Sequence, residues 1–181
     1  MDQSTACRWR SQTRGIELRH VQRVAITGNT IYDSADLSLL AVHCSGVSVG
    51  SNAFVWRGVD EDPPRDGIRL EDCENCTLTG LAIQRLCSGT PEKGAGITLV
   101  RCRDAAVSEC QVLDPLVRGI ELEDCVRCRI SGNGIIDRRQ QPRMLQAIRV
   151  IGRSEQNLVQ NNLVGGAKDT CLDIAPNTAI V

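Results

Sequence analysis

A repeat runs through most of the chain, and it limits the available folds more than any other feature. Each copy opens on a hydrophobic residue, and the six openings are Ile16, Leu39, Ile68, Ile97, Ile120 and Ile148. Fifteen positions after each opening stands another hydrophobic residue, and these are Ile31, Phe54, Ile83, Val112, Ile135 and Leu163. A seventh, truncated copy begins near Thr170. Six ungapped copies predict a stack of units in which each unit packs against its neighbours.

Hydrophobic and polar residues alternate in short runs inside each copy. In the fifth copy the hydrophobic or inward positions are Ile120, Leu122, Cys125, Cys128, Ile130, Asn133 and Ile135. Period-two alternation is typical of β-strands, so we predict three short strands per copy, separated by sharp corners. A helix is excluded because glycine interrupts every copy. All variation in length falls between the third strand of one copy and the first strand of the next.

These features predict an all-β fold, a single-stranded right-handed parallel β-helix of about six to seven turns with three short strands per turn. Successive turns of such a coil stack about 4.8 Å apart. Connections between parallel strands are right-handed in nearly all proteins. We expect residues 15–181 to form the β-helix domain and residues 1–14 to be an N-terminal extension or a partial turn.

The openings G-I-x-L and the corners I-x-x-N-x-I at Asn29, Asn133 and Asn161, with Asn52 in the same place, carry a family resemblance. Over residues 15–181 they resemble the pectate-lyase-like superfamily of right-handed β-helices. The resemblance implies an asparagine ladder between second and third strands, and a substrate cleft along the first strands that is walled by the variable loops. The catalytic motifs of its polygalacturonases, mannuronan epimerases and pectate lyases have no counterpart here. The resemblance implies Ca²⁺ only for lyase-like chemistry, and no other cofactor is expected.

Composition and charge exclude several classes of partner. The 181 residues carry a formal net charge of −1, which gives no electrostatic reason to expect nucleic acid binding. No stretch approaches the ~18 apolar residues that cross a bilayer, and the first residues lack the apolar segment of a signal peptide. The localisation stays open. The partners that fit the sequence are a polysaccharide or oligosaccharide, a copy stacked end to end, or a longer parent chain.

Cysteine is frequent, with ten residues, and seven of them fall on columns that the repeat aligns. The columns are Val21, Cys44, Cys73, Cys102, Cys125 and Arg153; Val24, Val47, Cys76, Ala105, Cys128 and Gln156; and Asn29, Asn52, Leu81, Cys110, Asn133 and Asn161. We predict that these cysteines are small hydrophobic packing residues. Disulfides between stacked turns and a zinc or iron–sulfur site are the alternatives. Because the turn of Ala105 separates the two Cys-x-x-Cys pairs, we predict no metal site.

Polar residues gather on the outward side of the first strands and on the corner that follows them. The outward positions are Glu17, Arg69, Glu121 and Arg149, then Arg19, Glu71 and Glu123, and the corner column is His20, His43, Asp72, Arg101 and Asp124. A stack of carboxylate, guanidinium and carboxylate could hold a cation or an acidic sugar. We therefore predict Asp72, Arg101 and Asp124 as catalytic. The predicted substrate-binding residues are Glu71, Glu123, Trp56, Arg69 and Arg149.

Two functions fit these residues. The first is a carbohydrate-active protein that acts on or binds an acidic polysaccharide along the first-strand face, as a lyase, hydrolase or epimerase does. In the superfamily's lyases an arginine abstracts a proton from a uronate, and the resemblance implies this role for Arg101. The second is a non-catalytic binding or structural module, in which alternating charges only avoid repulsion between adjacent strands. The stacked pair of His20 and His43 suits either a metal ion or plain solvation.

Overall fold

The computed structural model of the chain describes residues 15–34, 37–57, 66–86 and 94–181. These residues form twenty strands and no helix. The first three turns contain β1 (Ile16–Arg19), β2 (Gln22–Thr27), β3 (Thr30–Tyr32), β4 (Leu37–Val42), β5 (Ser45–Gly50), β6 (Ala53–Val55), β7 (Asp66–Glu71), β8 (Thr77–Thr79) and β9 (Ala82–Gln84). The later turns contain β10 (Ile97–Val100), β11 (Ala106–Ser108), β12 (Gln111–Leu113), β13 (Arg118–Glu123), β14 (Arg129–Ser131), β15 (Gly134–Ile136), β16 (Gln146–Ile151), β17 (Asn157–Gln160), β18 (Leu163–Gly165), β19 (Leu172–Ile174) and β20 (Thr178–Ile180). The predicted extension, residues 1–14, lies outside the described residues.

The strands form three parallel sheets that run along the molecule. The first sheet contains β1, β4, β7, β10, β13, β16 and β19; the second contains β2, β5, β8, β11, β14, β17 and β20; the third contains β3, β6, β9, β12, β15 and β18. Neighbouring strands of a sheet are always one turn apart in the chain. The six predicted openings pair in register along the first sheet, from Ile16 with Leu39 to Ile120 with Ile148. The predicted parallel β-helix with three strands per turn is confirmed.

The sixth turn departs from the predicted alignment because it holds one extra residue. Glu123 pairs with Ile151, but Val126 pairs with Glu155, so the corner after β16 is one residue longer than the corner after β13. Gly152 follows Ile151 as Asp124 follows Glu123, and it is left-handed like Asp124, with a φ of 70°, so Arg153 is the additional residue. The constant spacing of fifteen holds for the first five turns and is wrong for the sixth.

The extra residue shifts every later position of the sixth turn by one. Ile135 pairs with Val164, and Leu163 is 66% exposed. An inward Arg153 would have buried an unpaired charge, which is costly. The residues that take the predicted places are Ser154 for Arg153, Asn157 for Gln156, Asn162 for Asn161 and Val164 for Leu163.

The corner after the first strands is built from residues in the left-handed conformation. This first corner column consists of His20, His43, Asp72, Arg101 and Asp124, with φ between 50° and 55°. Each of these residues donates its N–H to a carbonyl of the next turn; the Arg101 N–H, for example, lies 2.8 Å from the Glu123 oxygen. The ladder of backbone hydrogen bonds therefore continues through the corner.

The core is aliphatic, and cysteines stack within it. Seven cysteines are buried and free: Cys44, Cys73, Cys76, Cys102, Cys110, Cys125 and Cys128. The Cys102 Sγ lies 3.5 Å from the carbonyl oxygen of Leu70, one turn away, so a thiol can donate across turns. Burial raises the pKa of Cys110 to about 11, which keeps its thiol protonated. The prediction that these residues pack in the core is confirmed.

Asparagines cross-link the corner between the second and third strands. The Asn29 side-chain amide donates to Asn52 Oδ1 at 3.1 Å, and the Asn133 amide donates to Asn162 Oδ1 at 2.9 Å. The Asn133 side chain also accepts the N–H of Cys110 at 3.0 Å. The predicted ladder is present, with Asn162 in the place predicted for Asn161.

A buried carboxylate organises the loop between β15 and β16. Asp137 accepts hydrogen bonds from the Arg139 guanidinium at 2.6 and 2.8 Å and from the backbone amides of Arg143 and Met144. Burial alone would raise the pKa of Asp137, but the guanidinium and these amides outweigh it and hold the pKa at about 2.

The cysteine stack generates a prediction about stability. Cys102→Ala should lower the free energy of unfolding by about 1–2 kcal/mol, because it removes a buried sulfur and leaves a small cavity. Cys171→Ala is the matched control, since Cys171 is free but only half-buried. Urea denaturation of the two variants measures the difference. An equal cost for both would contradict a packing role for Cys102.

The Asp137 site generates a prediction about acid stability. Asp137→Asn should cost about 3 kcal/mol at pH 7, because it removes a buried charge that Arg139 needs. Since the folded state holds the pKa of Asp137 below its ordinary value, this contribution is complete above about pH 4. It should disappear as the pH falls through about 2. Urea midpoints between pH 2 and 7 test this, with the exposed Asp173→Asn as control.

Candidate functional site

A polar groove follows the edge between the first and second sheets. It is a depression of about 460 Å³. Its lining residues are Asp72, Cys73, Glu74, Arg101, Arg103, Asp124 and Val126. We call this feature the corner groove. The three residues predicted as catalytic, Asp72, Arg101 and Asp124, all line it, because in-register stacking places them on successive turns of the first corner column.

Asp72 and Arg101 form a two-pronged ion pair between adjacent turns. Arg101 Nε lies 2.7 Å from Asp72 Oδ1, and Arg101 Nη2 lies 2.8 Å from Oδ2. The hydrogen bond from Arg101 holds the pKa of Asp72 below its usual range. The same bond raises the pKa of Arg101. Arg101 is therefore a fixed cation that can hold an anion, and in this pairing it is a poor proton acceptor.

Asp124 occupies the next turn of the same column and has different partners. Its Oδ1 accepts the backbone N–H of Arg153 at 2.7 Å, and its carboxylate lies against Gly152. A side chain added at Gly152 would stand 2.3 Å from that oxygen, so the glycine leaves room for the carboxylate. The extra residue of the sixth turn thus has a local role, since it positions a donor for Asp124.

Three of the predicted substrate-binding residues flank the groove on the first sheet. Arg69 and Glu71 stand two residues apart on β7 and pair with each other, Nε to Oε1, at 2.5 Å. Glu123 takes the same position on β13, with Val100 between it and Glu71. Arg69, Glu71 and Glu123 are each half-buried and lie next to the first corner column.

The two remaining predicted residues lie away from the groove. Trp56 follows β6, at the opposite edge of the first sheet, where it is half-buried and packs against the core. Arg149 stands on β16 with its Nε 3.4 Å from the Oε2 of Glu121, and it is largely buried. The structure therefore does not bring Trp56 or Arg149 together with Asp72, Arg101 and Asp124.

The outer face of the first sheet is covered in its middle turns. Glu121, one of the predicted outward positions, is 0% exposed, and its Oε1 accepts the N–H of Gly94 at 2.7 Å. Arg118, also buried, places its Nε 3.6 Å from Glu121 Oε2. The other buried outward residues are Ser38, Leu40, Val42, Thr98 and Val100. Glu121 therefore lies on the outward side of its strand without being a surface charge.

The sequence carries one signal for this closed face. Leu40, Val42 and Val100 are apolar at outward positions, which is unusual for a solvated side of a strand. The ion pair of Arg118 with Glu121 could not be predicted, because residues three apart on a regular strand point to opposite faces. The apolar outward residues alone indicate that the first sheet is covered on both sides in its middle turns.

The described residues hold no arrangement suited to a metal ion. In the ranges that the structure covers, no three His, Cys, Asp or Glu side chains converge as ligands. Ca²⁺ for a lyase-like reaction stays a prediction. Among the same residues, no helix has the length and apolar character needed to cross a membrane.

Comparisons with known proteins agree on the fold. A family model described as right handed beta helix region matches residues 3–164. No curated protein matches the sequence significantly. The resemblance to the pectate-lyase-like superfamily is confirmed by this match and by similar folds among solved structures.

Three solved structures illustrate the similarity. The A-module of Azotobacter vinelandii mannuronan C-5 epimerase AlgE4 has a TM-score of 0.55 at 13% identity, over 93% of this chain and 54% of that one. The tailspike gp61 of Pseudomonas phage phi297 has a TM-score of 0.56 at 14% identity, over 77% of this chain and 27% of the tailspike. Polygalacturonase from Erwinia carotovora has a TM-score of 0.52 at 9% identity, over 93% of this chain and 58% of the polygalacturonase. The chain spans about half the length of the epimerase module, and at these identities the likeness shows the fold alone.

The buried carboxylate under the covered face generates a prediction. Glu121→Gln should lower the free energy of unfolding by about 3 kcal/mol, because it leaves the guanidinium groups of Arg118 and Arg149 without their buried counter-charge. Glu155→Gln is the control, since Glu155 is exposed. Urea denaturation at pH 7 compares them, and similar midpoints would show that Glu121 is not a buried counter-ion.

Proposed function

The chain belongs to the right-handed β-helix family, and on this basis we propose that it is a carbohydrate-active protein that engages an acidic polysaccharide along the corner groove. The observation that carries the proposal is the pair of exposed guanidinium groups, Arg101 and Arg103, on one turn of the groove. Guanidinium groups bind carboxylates through paired hydrogen bonds, and the carboxylates of a uronan are spaced along an extended chain.

The position of the groove supports this proposal. It runs beside the first sheet, so a linear polymer can contact several turns at once, each about 4.8 Å from the next. Arg69 and Glu71 on β7 and Glu123 on β13 supply further polar contacts on the sheet side. Similar folds occur in proteins named as a mannuronan epimerase and a polygalacturonase, whose names refer to acidic polysaccharides.

In the catalytic form of this proposal, the predicted residues take different roles. Arg101 holds the substrate carboxylate and neutralises its charge, and Asp72 fixes the orientation of Arg101. Asp124 is the candidate proton acceptor, because its carboxylate lines the groove and has a backbone donor rather than an arginine within the first corner column. Lyase and epimerase chemistry both begin by removing a proton next to a carboxylate, and both fit this assignment.

One observation favours a second function, a non-catalytic binding or structural module. Among the described residues, the ion pair of Asp72 with Arg101 is one of four two-pronged Asp–Arg pairs that join adjacent turns. The other three are Asp33 with Arg57, Asp104 with Arg127, and Asp114 with Arg138. Because these pairs lie at several corners, linking turns is sufficient reason for each of them.

A substrate screen separates the two functions. The protein is incubated with polygalacturonate and with alginate, with and without Ca²⁺. An unsaturated product that absorbs ultraviolet light identifies a lyase, and new reducing ends without that absorbance identify a hydrolase. Saturable binding without turnover identifies the binding module. No binding to any acidic glycan would contradict the proposed function.

The arginine pairs provide a matched test of the groove. Arg101→Gln should weaken binding to the responsive uronan about tenfold, because it removes the central cation of the groove. Arg127→Gln is the control: its pair with Asp104 has the same 2.7 and 2.8 Å distances and similar exposure, but it lies outside the groove lining. Equal losses in both variants would show that the effect is not specific to the groove.

A further inference from the structure

The chain contains only two histidines, and they stand next to each other at one end of the first corner column. His20 and His43 stack with ring centroids 5.2 Å apart and planes inclined by 14°. Both side chains are exposed. Both histidines of the chain therefore stack on the surface beside a charged groove. Neither core packing nor the predicted catalytic residues account for this arrangement.

The pair continues the line of the corner groove. His43 Nδ1 lies 3.9 Å from Asp72 Oδ2, and Asp72 is already bound by Arg101 on the following turn. The groove residues and the imidazoles thus occupy consecutive turns of one column, from His20 to Asp124. A polymer that lies along Arg101 toward the first turn would meet His43 and then His20.

Protonation of the pair reverses the charge of this column. With both imidazoles neutral, Asp72, Arg101 and Asp124 sum to −1, and with both protonated the column sums to +1. The other described charged side chains around the pair are Glu17 and Arg19 on β1, Arg23 on β2, Arg69 and Glu71 on β7, and Glu74. Histidine is the side-chain type whose charge ordinarily changes between pH 5 and 8, which arginine, aspartate and glutamate as types ordinarily do not.

We infer that the His20–His43 pair is an anion subsite of the corner groove, which binds a carboxylate of an acidic glycan when the imidazoles are protonated. This inference rests on the proposed function. Two imidazolium rings at 5.2 Å repel each other, and a carboxylate bound at the edges of both rings offsets that repulsion. Binding and protonation therefore favour each other, so the glycan binds with uptake of protons.

The experiment measures binding of oligogalacturonate, a uronic acid oligomer, by calorimetry at pH 5, 6.5 and 8. Affinity should be about tenfold higher at pH 5 than at pH 8, because two cationic contacts are gained. Titrations at pH 6.5 in two buffers with different ionisation enthalpies should reveal net proton uptake. The His20→Asn and His43→Asn double variant should lose both effects while it keeps the pH 8 affinity.

The chain itself indicates that the variants will fold. Asn75 and Asn161 occupy left-handed positions with φ of 53° and 52°, so asparagine fits the backbone of both histidines. His20→Gln and His43→Gln form a second set, for which Gln156 at φ 55° is the precedent. Arg127→Gln, outside the groove lining, should bind with the pH dependence of the unmodified protein.

The outcomes distinguish this inference from the proposed function. Binding with equal affinity at pH 5 and pH 8, or pH dependence that persists in the double variant, would overturn the anion subsite. The proposed binding of an acidic polysaccharide along the corner groove would be unaffected by either result. Absence of oligogalacturonate binding at every pH would overturn the proposed function together with the subsite. Tighter binding at pH 5 that requires both histidines would support both.

Discussion

In-register stacking of parallel turns is the constraint on which the rest of this molecule depends. Because the strands pair in register and the amides of the first corner column reach the turn beside them, each residue meets the residue at the same place one turn away. Side chains therefore form columns, and a column must be chemically compatible along its whole length. The cysteine stack, the asparagine ladder and the alternating Asp–Arg pairs are three solutions to this one requirement.

The architecture could be predicted because the constraint leaves a direct trace in the sequence, a constant spacing from strand to strand. The prediction failed in the sixth turn, where the corner after Ile151 holds one extra residue and Val164 takes the place expected for Leu163. Leu163 and Val164 are both hydrophobic, so the repeat looks equally regular whether the sixth copy is aligned with or without the extra residue. The strand pairing reveals it, first where Val126 pairs with Glu155 and again where Ile135 pairs with Val164.

The candidate site could be predicted in part, for a related reason. Column membership follows from spacing, so Asp72, Arg101 and Asp124 were placed together correctly. Burial by residues from other turns does not follow from spacing, and the covered position of Glu121 was therefore missed. The periodicity also does not show what a column of charges does. The same Asp–Arg geometry can link adjacent turns at one corner and can bind a ligand at another.

The left-handed corners limit which surfaces this fold can acquire. In the part of the chain that the structure describes, sixteen non-glycine residues have positive φ, and not one of them is β-branched or aliphatic. A valine or isoleucine at such a position would be strongly strained, whereas asparagine, aspartate, histidine and glycine accept it. Substitutions to such residues along these corners should therefore be removed because they destabilise the fold, before any selection for activity. The edges of the solenoid consequently keep polar side chains that form hydrogen bonds, whatever ligand they bind.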